Sequence, residues 1–232
     1  MEHLQEELDA LLTQLPNERE VRDRLDSLVS VYPFNEYEYL ISTLLAMDVL
    51  SLDDYHGLRD DYIVRNKNRS LFELSPAPLG TTWAETHLQE LEPKLEKSTG
   101  SEHDLVLDHI RVEVKTSRAV DKESKKPLIQ KALTSASAKP FVMNFQQTKA
   151  IHFDVIVWIG IWLDVIRYWV LAATEVESQP RFSNKQHRGN VGEGQLHVKQ
   201  DNIDEFGQYE VKPNKLEEAI RAAYDRQVKA KE

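Results

Sequence analysis

Along the N-terminal stretch apolar residues recur three or four positions apart. Leu4, Leu8, Leu11, Leu12 and Leu15 precede Pro16; Val21, Leu25, Leu28 and Val29 precede Pro33; Tyr37, Leu40, Ile41, Leu44, Leu45 and Met47 follow. That spacing is one face of an α-helix, and each proline ends the run before it. Ser51-Leu52-Asp53-Asp54 predicts the start of a fourth helix, with Ser51 as cap and Asp54 in the first turn. Beyond residue 65 the pattern changes. Gly80 to Leu91 predicts a helix that turns Trp83, Leu88 and Leu91 inward. Leu105-Val106-Leu107 is a short apolar run, Asp108-His109 a tight turn, and Ile110, Val112 and Val114 then alternate with Arg111, Glu113 and Lys115, which predicts a hairpin. Phe153 to Trp162 is a near-continuous apolar run of strand length, the pattern of a strand covered on both faces. After a polar break at Asp164, Ile166 to Leu171 is another strand, and Leu216, Ala219, Ile220, Ala223 and Tyr224 mark a closing amphipathic helix over Pro213–Gln227. The expected division is a helical subdomain over 1–64 and an α/β domain over 65–232. The four helices are expected to serve dimerisation or interaction rather than DNA reading, because Asp53, Asp54, Asp60 and Asp61 of the fourth would repel phosphate.

The hairpin carries the chemistry. Alternation sets Glu113 and Lys115 on one face of the second strand and the apolar residues on the other. Asp104 begins the first strand, and pairing brings it back beside Glu113 to Lys115. Two carboxylates and one ammonium converging at a strand end are what metal-dependent hydrolysis of a phosphodiester requires. Mg²⁺ prefers carboxylate oxygens, keeps several waters, and commonly takes one or two protein carboxylates plus substrate phosphate oxygens. Asp104 and Glu113 are the expected ligands. Lys115 is placed to orient the attacking water and to offset charge on the phosphate.

Asp104 followed by Glu113-Val114-Lys115 on a hairpin strand, with Thr116-Ser117 after the lysine, resembles the PD-(D/E)xK nuclease superfamily. His103 stands where the motif has proline. In that superfamily a helix before the hairpin often adds an acidic residue to the metal site, and Glu85 occupies that place here. Hairpin, helix, then buried strands is the order of the superfamily core. Within it, Glu113-Val114-Lys115, Asn144-Phe145-Gln146-Gln147, the Phe153 to Trp169 strands and Gln186 to Gln195 resemble type II restriction endonucleases over roughly residues 65 to 225. The resemblance implies a restriction-endonuclease-like α/β fold, a mixed central sheet flanked by helices. It also implies Mg²⁺-dependent cleavage of double-stranded DNA by a homodimer, alongside a cognate DNA methyltransferase acting on the same site. Ser117 and Arg118, next to the motif, are expected DNA contacts.

The glycine-rich segment near 183–197 is expected to be a DNA-recognition loop. Gly189, Gly192 and Gly194 permit close backbone approach, while Gln186, His187, Arg188, Asn190 and Gln195 carry donor and acceptor groups suited to base edges.

Composition narrows the field. The 232 residues are 41% hydrophobic, enough for a full core. There is no cysteine, hence no disulfide and no thiolate zinc site, and with no signal-peptide pattern the expected location is cytoplasmic. The longest apolar run is too short to span a bilayer. The eight histidines lack zinc-helix spacing, although His103 and His109 flank the proposed metal site. A net charge of −10 is the wrong sign for phosphate binding, and part of the excess lies near the N-terminus at Glu2, Glu6, Glu7 and Asp9. Arg65, Lys67 and Arg69, then Arg111, Lys115 and Arg118, then Lys122, Lys125 and Lys126 are the local basic clusters. Two other readings stay open: a structure-selective repair nuclease of the same fold, and a non-catalytic module that binds DNA or protein.

Overall fold

The computed structural model describes residues 2–29, 36–185 and 191–230. The chain forms two compact units, Met1–Arg65 and Asn66–Glu232. In the first, α1 (Glu2–Leu12), α2 (Glu18–Val29), α3 (Glu36–Ala46) and α4 (Leu52–Arg65) follow the apolar spacing. Leu12, Val21, Leu25 and Ala46 form its small core, with Leu15, Tyr39 and Met47 packed against them. Helix α4 starts as its sequence predicts. Ser51 Oγ accepts the Asp54 N–H at 3.1 Å, and Asp54 Oδ2 accepts the Ser51 N–H at 3.3 Å, so two otherwise orphaned donors are satisfied reciprocally.

The second unit begins with α5 (Arg69–Glu73), then a π-helical turn at Pro78–Ala84 that runs directly into α6 (Glu85–Leu91). Its strands are β1 (Glu96–Lys97), β2 (Leu105–Leu107), β3 (Ile110–Arg118), β4 (Val120–Asp121), β5 (Phe141–Thr148), β6 (Val155–Ile161), β7 (Ile166–Ala172), β8 (Ser183–Lys185), β9 (Val191–Lys199) and β10 (Glu210–Val211). Helix α7 (Ala173–Glu177) follows β7, and α8 (Leu216–Lys229) closes the unit. The architecture is the expected α/β one. A central sheet of order β1-β2-β3-β6-β7-β10 is mixed, because β3 and β6 run parallel while its other neighbours pair antiparallel. Helices α6 and α8 cover one face, where Leu88, Leu216 and Ile220 pack on Val112, Val114 and Val157. A second sheet, β4-β5-β9-β8, covers the other, setting Met143, Phe145, Leu196 and Val198 against Ile156, Trp158, Trp169 and Leu171. Strand β6 is thus buried on both faces, which is why its sequence is apolar without alternation. Among the described residues no helix is long and apolar enough to cross a membrane.

Two expectations are corrected. Between the hairpin and the buried strands the described residues hold no α-helix. The parallel pair β3/β6 is joined by a crossover through β4, a 3₁₀ turn at Leu128–Lys131 and β5. Pro127 and Pro140 interrupt that stretch, and the alternating Phe141-Val142-Met143-Asn144-Phe145 suits a half-buried strand rather than a helix. The proposed recognition loop is also not a loop over its C-terminal half. Gly192, Gly194 and Gln195 lie in β9, paired to β8 and β5. Gly194 is glycine because a Cβ there would fall 2.0 Å from Cζ of Phe182, which packs across the strand.

Candidate active site

The site is built on the β2–β3 hairpin. Asp108, at φ 54°, supplies the left-handed residue that a two-residue turn needs, and aspartate tolerates that conformation. The turn fixes the register Leu105↔Val112, Val106↔Arg111 and Leu107↔Ile110. Asp104, just before β2, is thereby returned to the middle of β3, where its Oδ2 accepts the Val114 N–H at 2.8 Å. Glu113 and Lys115 share the face of β3 turned toward the second sheet, and Lys115 Nζ donates to Glu113 Oε1. Val112 and Val114 point into the opposite core.

A second anchor sets the parallel strand. Arg111 holds Asp154 through Nε to Oδ2 at 3.1 Å and Nη2 to Oδ1 at 2.9 Å. The Arg111 N–H also donates to Asp154 Oδ2 at 3.1 Å, and the Asp154 N–H to the Arg111 carbonyl at 2.9 Å. This fork locks the start of β6 beside β3, so that Lys115 lies across from Trp158. A bidentate pair of this kind contributes orientation as well as energy.

Glu113 is buried, and burial holds its carboxyl above the ordinary range. Lys115 opposes that shift, while the negative charges of Asp104 and Glu85 add to it. Glu113 is therefore within electrostatic reach of both other carboxylates. Glu85, on α6, is buried and paired with Lys97 Nζ at 3.2 Å. Among the described residues no group of three His, Asp or Glu side chains makes a ready cage for a metal ion. The donors nevertheless fit Mg²⁺ in its two-carboxylate mode. Asp104 Oδ1 and Glu113 Oε2 receive no hydrogen bond from the described residues, both are hard oxygen donors, and a cation would relieve their mutual repulsion.

Asp104 and Lys115 line a cleft of about 850 Å³. Gly80 and Thr81 form part of its wall, Ser117 and Lys131 another, and Asn144, Gln146, Gln147 and His197 of the second sheet face it. In β5, Phe141, Met143 and Phe145 go to the core and Val142, Asn144 and Gln146 to the cleft side. In β9, Leu196 and Val198 are inward, and His197 is paired with Asn144. Burial, with some help from Lys199, lowers the proton affinity of His197.

The remaining expected site residues divide. Ser117 lines the cleft, and its Oγ accepts the Asn144 N–H at 2.8 Å, tying the two sheets together. Arg118 also lines the cleft, although it is largely buried and its Nη1 donates to the carbonyls of Phe72 at 3.0 Å and Leu74 at 2.9 Å. Gln195 lies on the polar face of β9, where its Oε1 accepts from Asn144 Nδ2 at 3.2 Å. Gln186, His187, Arg188 and Asn190 lie outside the described residues. His103 is close to the site and meets Ser98 Oγ at 3.1 Å, whereas His109, at the turn, packs edge-on to Tyr224 at 5.1 Å and does not flank the carboxylates. Asn144, Gln146, Gln147, Lys131 and His197 join the cleft without having been singled out as site residues. The alternation in 141–146 and 194–199 is the signal for Asn144, Gln146 and His197, whereas Lys131 and Gln147 fall outside it.

No protein-family model matches the chain, and no curated protein does. Among solved structures it is similar to a bacterial homing endonuclease, I-Ssp6803I, with 15% identity over 67% of this chain and 99% of that one, at a TM-score of 0.37.

Proposed function

We propose that this chain is a Mg²⁺-dependent endonuclease of the type II restriction class that hydrolyses phosphodiester bonds in double-stranded DNA at a specific sequence. The observation that carries the reading is the convergence of Asp104, Glu113 and Lys115 on one hairpin, with Asp104 and Lys115 lining an open cleft and Glu113 paired to Lys115, in a register that the turn and the Asp104–Val114 bond both fix. Asp104 and Glu113 would hold the ion, which when bound supplies Lewis-acid activation of the scissile phosphate and of the attacking water. The residues of the chain do the rest. Val114 orients the Asp104 carboxylate through its N–H, and the Arg111–Asp154 fork holds β3 and β6 together behind the site. Lys115 brings a positive charge to the place where charge gathers on the phosphate and donates a hydrogen bond to the water that attacks it. Gln195 remains a proposed DNA contact, as do Gln186, His187, Arg188 and Asn190.

The working unit is proposed to be a homodimer, one site per strand, with residues 1–64 in the dimer contact and a methyltransferase protecting the same sequence. Leu58, Ile63 and Val64 of α4, exposed at 38%, 47% and 65%, support an interaction role for that segment. Light scattering should give twice the chain mass, 2 × 26.9 kDa; a monomer at working concentration contradicts the dimer. Lys115→Ala should lose cleavage by about 10²–10⁴-fold while a gel-shift still finds the DNA bound. Cleavage at the parent rate would remove Lys115 from the chemistry.

A further inference from the structure

The cleft wall opposite the carboxylates holds a break in a strand. Phe145 pairs with Leu196, and Thr148 pairs with Gly194, so Gln146 and Gln147 together stand opposite the single residue Gln195. This is a β-bulge. Without it the alternation of β5 would send Gln147 to the buried side with Met143 and Phe145. With it the buried position falls to Thr148, at 3% exposure, and both glutamines are exposed and line the cleft that Asp104 and Lys115 line. Gln147 reaches this place at φ 57°, a conformation that a side chain longer than those of asparagine or aspartate rarely adopts. Bulges beside active sites commonly re-aim a side chain, and a strained backbone persists where the surroundings hold it in place.

Four carboxamides meet at this point, since Asn144 and Gln195 are hydrogen-bonded to each other behind the bulge. A carboxamide offers one donor and one acceptor side by side, the complement of adenine's N6 and N7 in the major groove. Phosphate recognition would call for cations instead, and the bulge presents none. We infer that Gln146 and Gln147 are specificity-determining residues that read the major-groove edge of A·T pairs next to the cleaved bond. This rests on the endonuclease reading and deepens it.

The test is digestion in Mg²⁺ of a duplex library with a randomised centre, using full-length parent, Gln147→Gly and Gln146→Ala, with the cut ends sequenced. Glycine adopts φ 57° freely, so Gln147→Gly should melt no lower than the parent, and loss of selectivity in it is not loss of folding. The parent should show a defined site containing A·T pairs. Each variant should lose preference at one or two adjacent A·T positions by about tenfold or more, with the other positions read as before. Slower cutting with every preference intact would overturn the inference and leave the nuclease reading standing. Cleavage by the parent without sequence preference would also overturn it. No Mg²⁺-dependent cleavage by the parent would remove both.

Discussion

Glu113 shows how a residue suited to chemistry sits against the stability of its own fold. Its carboxyl holds a proton more tightly in the folded chain than in the unfolded one, chiefly through burial. The stability linked to that proton is present below the ordinary glutamate value of 4.5 and is lost as pH rises through the higher folded value. As pH rises the parent loses that contribution, and a neutral isostere does not. Glu113→Gln should therefore melt higher than the parent at pH 7, with the gap closing as the pH falls below the unfolded value, and it should not cut DNA. Thermal melts across the acid range, beside a cleavage assay, check both halves. A variant that melts lower at pH 7 would mean that the Lys115 pairing outweighs burial. Arg118 teaches the opposite lesson. In sequence it stands shortly after Lys115 and reads as a DNA contact; in the structure it lines the cleft, but its Nη1 holds two carbonyls from residues some 45 positions upstream. Nothing local distinguishes a guanidinium turned inward from one turned to solvent.

At the scale of elements, the hairpin was legible because everything that makes it is local: the apolar alternation, a two-residue turn with aspartate at positive φ, and an acid at the start of the first strand. Strands β6 and β7 were legible for a related reason, their runs being too apolar for anything but a covered position. The second sheet was not. Its glutamines share a face only because of a bulge, and its pairing joins Asn144 to His197 across more than fifty residues. The crossover through β5 in place of a helix likewise depends on what covers the central sheet. Close fit between the sheets rests on Gly160 of β6, where a Cβ would lie 2.7 Å from Cζ3 of Trp169 and 3.0 Å from Sδ of Met143. Gly160→Ala should destabilise the chain by about 1–3 kcal/mol through overpacking, read as a lower denaturation midpoint with an unchanged slope. An unchanged midpoint would mean that Trp169 gives way without cost.

For the whole molecule, the charge that argued against DNA binding is distributed unevenly. Residues 1–65 carry 15 acidic and 5 basic side chains, while residues 66–232 carry 24 of each, so the entire formal net charge of −10 belongs to the helical unit. The unit that holds the cleft is neutral, and its lysines at the cleft are not working against a field of their own making. The full chain should therefore bind a duplex more weakly than residues 66–232 alone at low ionic strength, and the two should converge as salt screens the acidic helices. Fluorescence anisotropy over a salt series reads this, and equal affinities at low salt would show that the helical unit's charge does not reach the DNA. The central claim, that the Asp104–Glu113–Lys115 site cuts DNA at a defined sequence, is tested most directly by incubating the full chain with a long DNA of known sequence in Mg²⁺, beside EDTA and Lys115→Ala controls. Discrete fragments that vanish in both controls are the predicted result; intact DNA, or fragments that persist without Lys115, would contradict it.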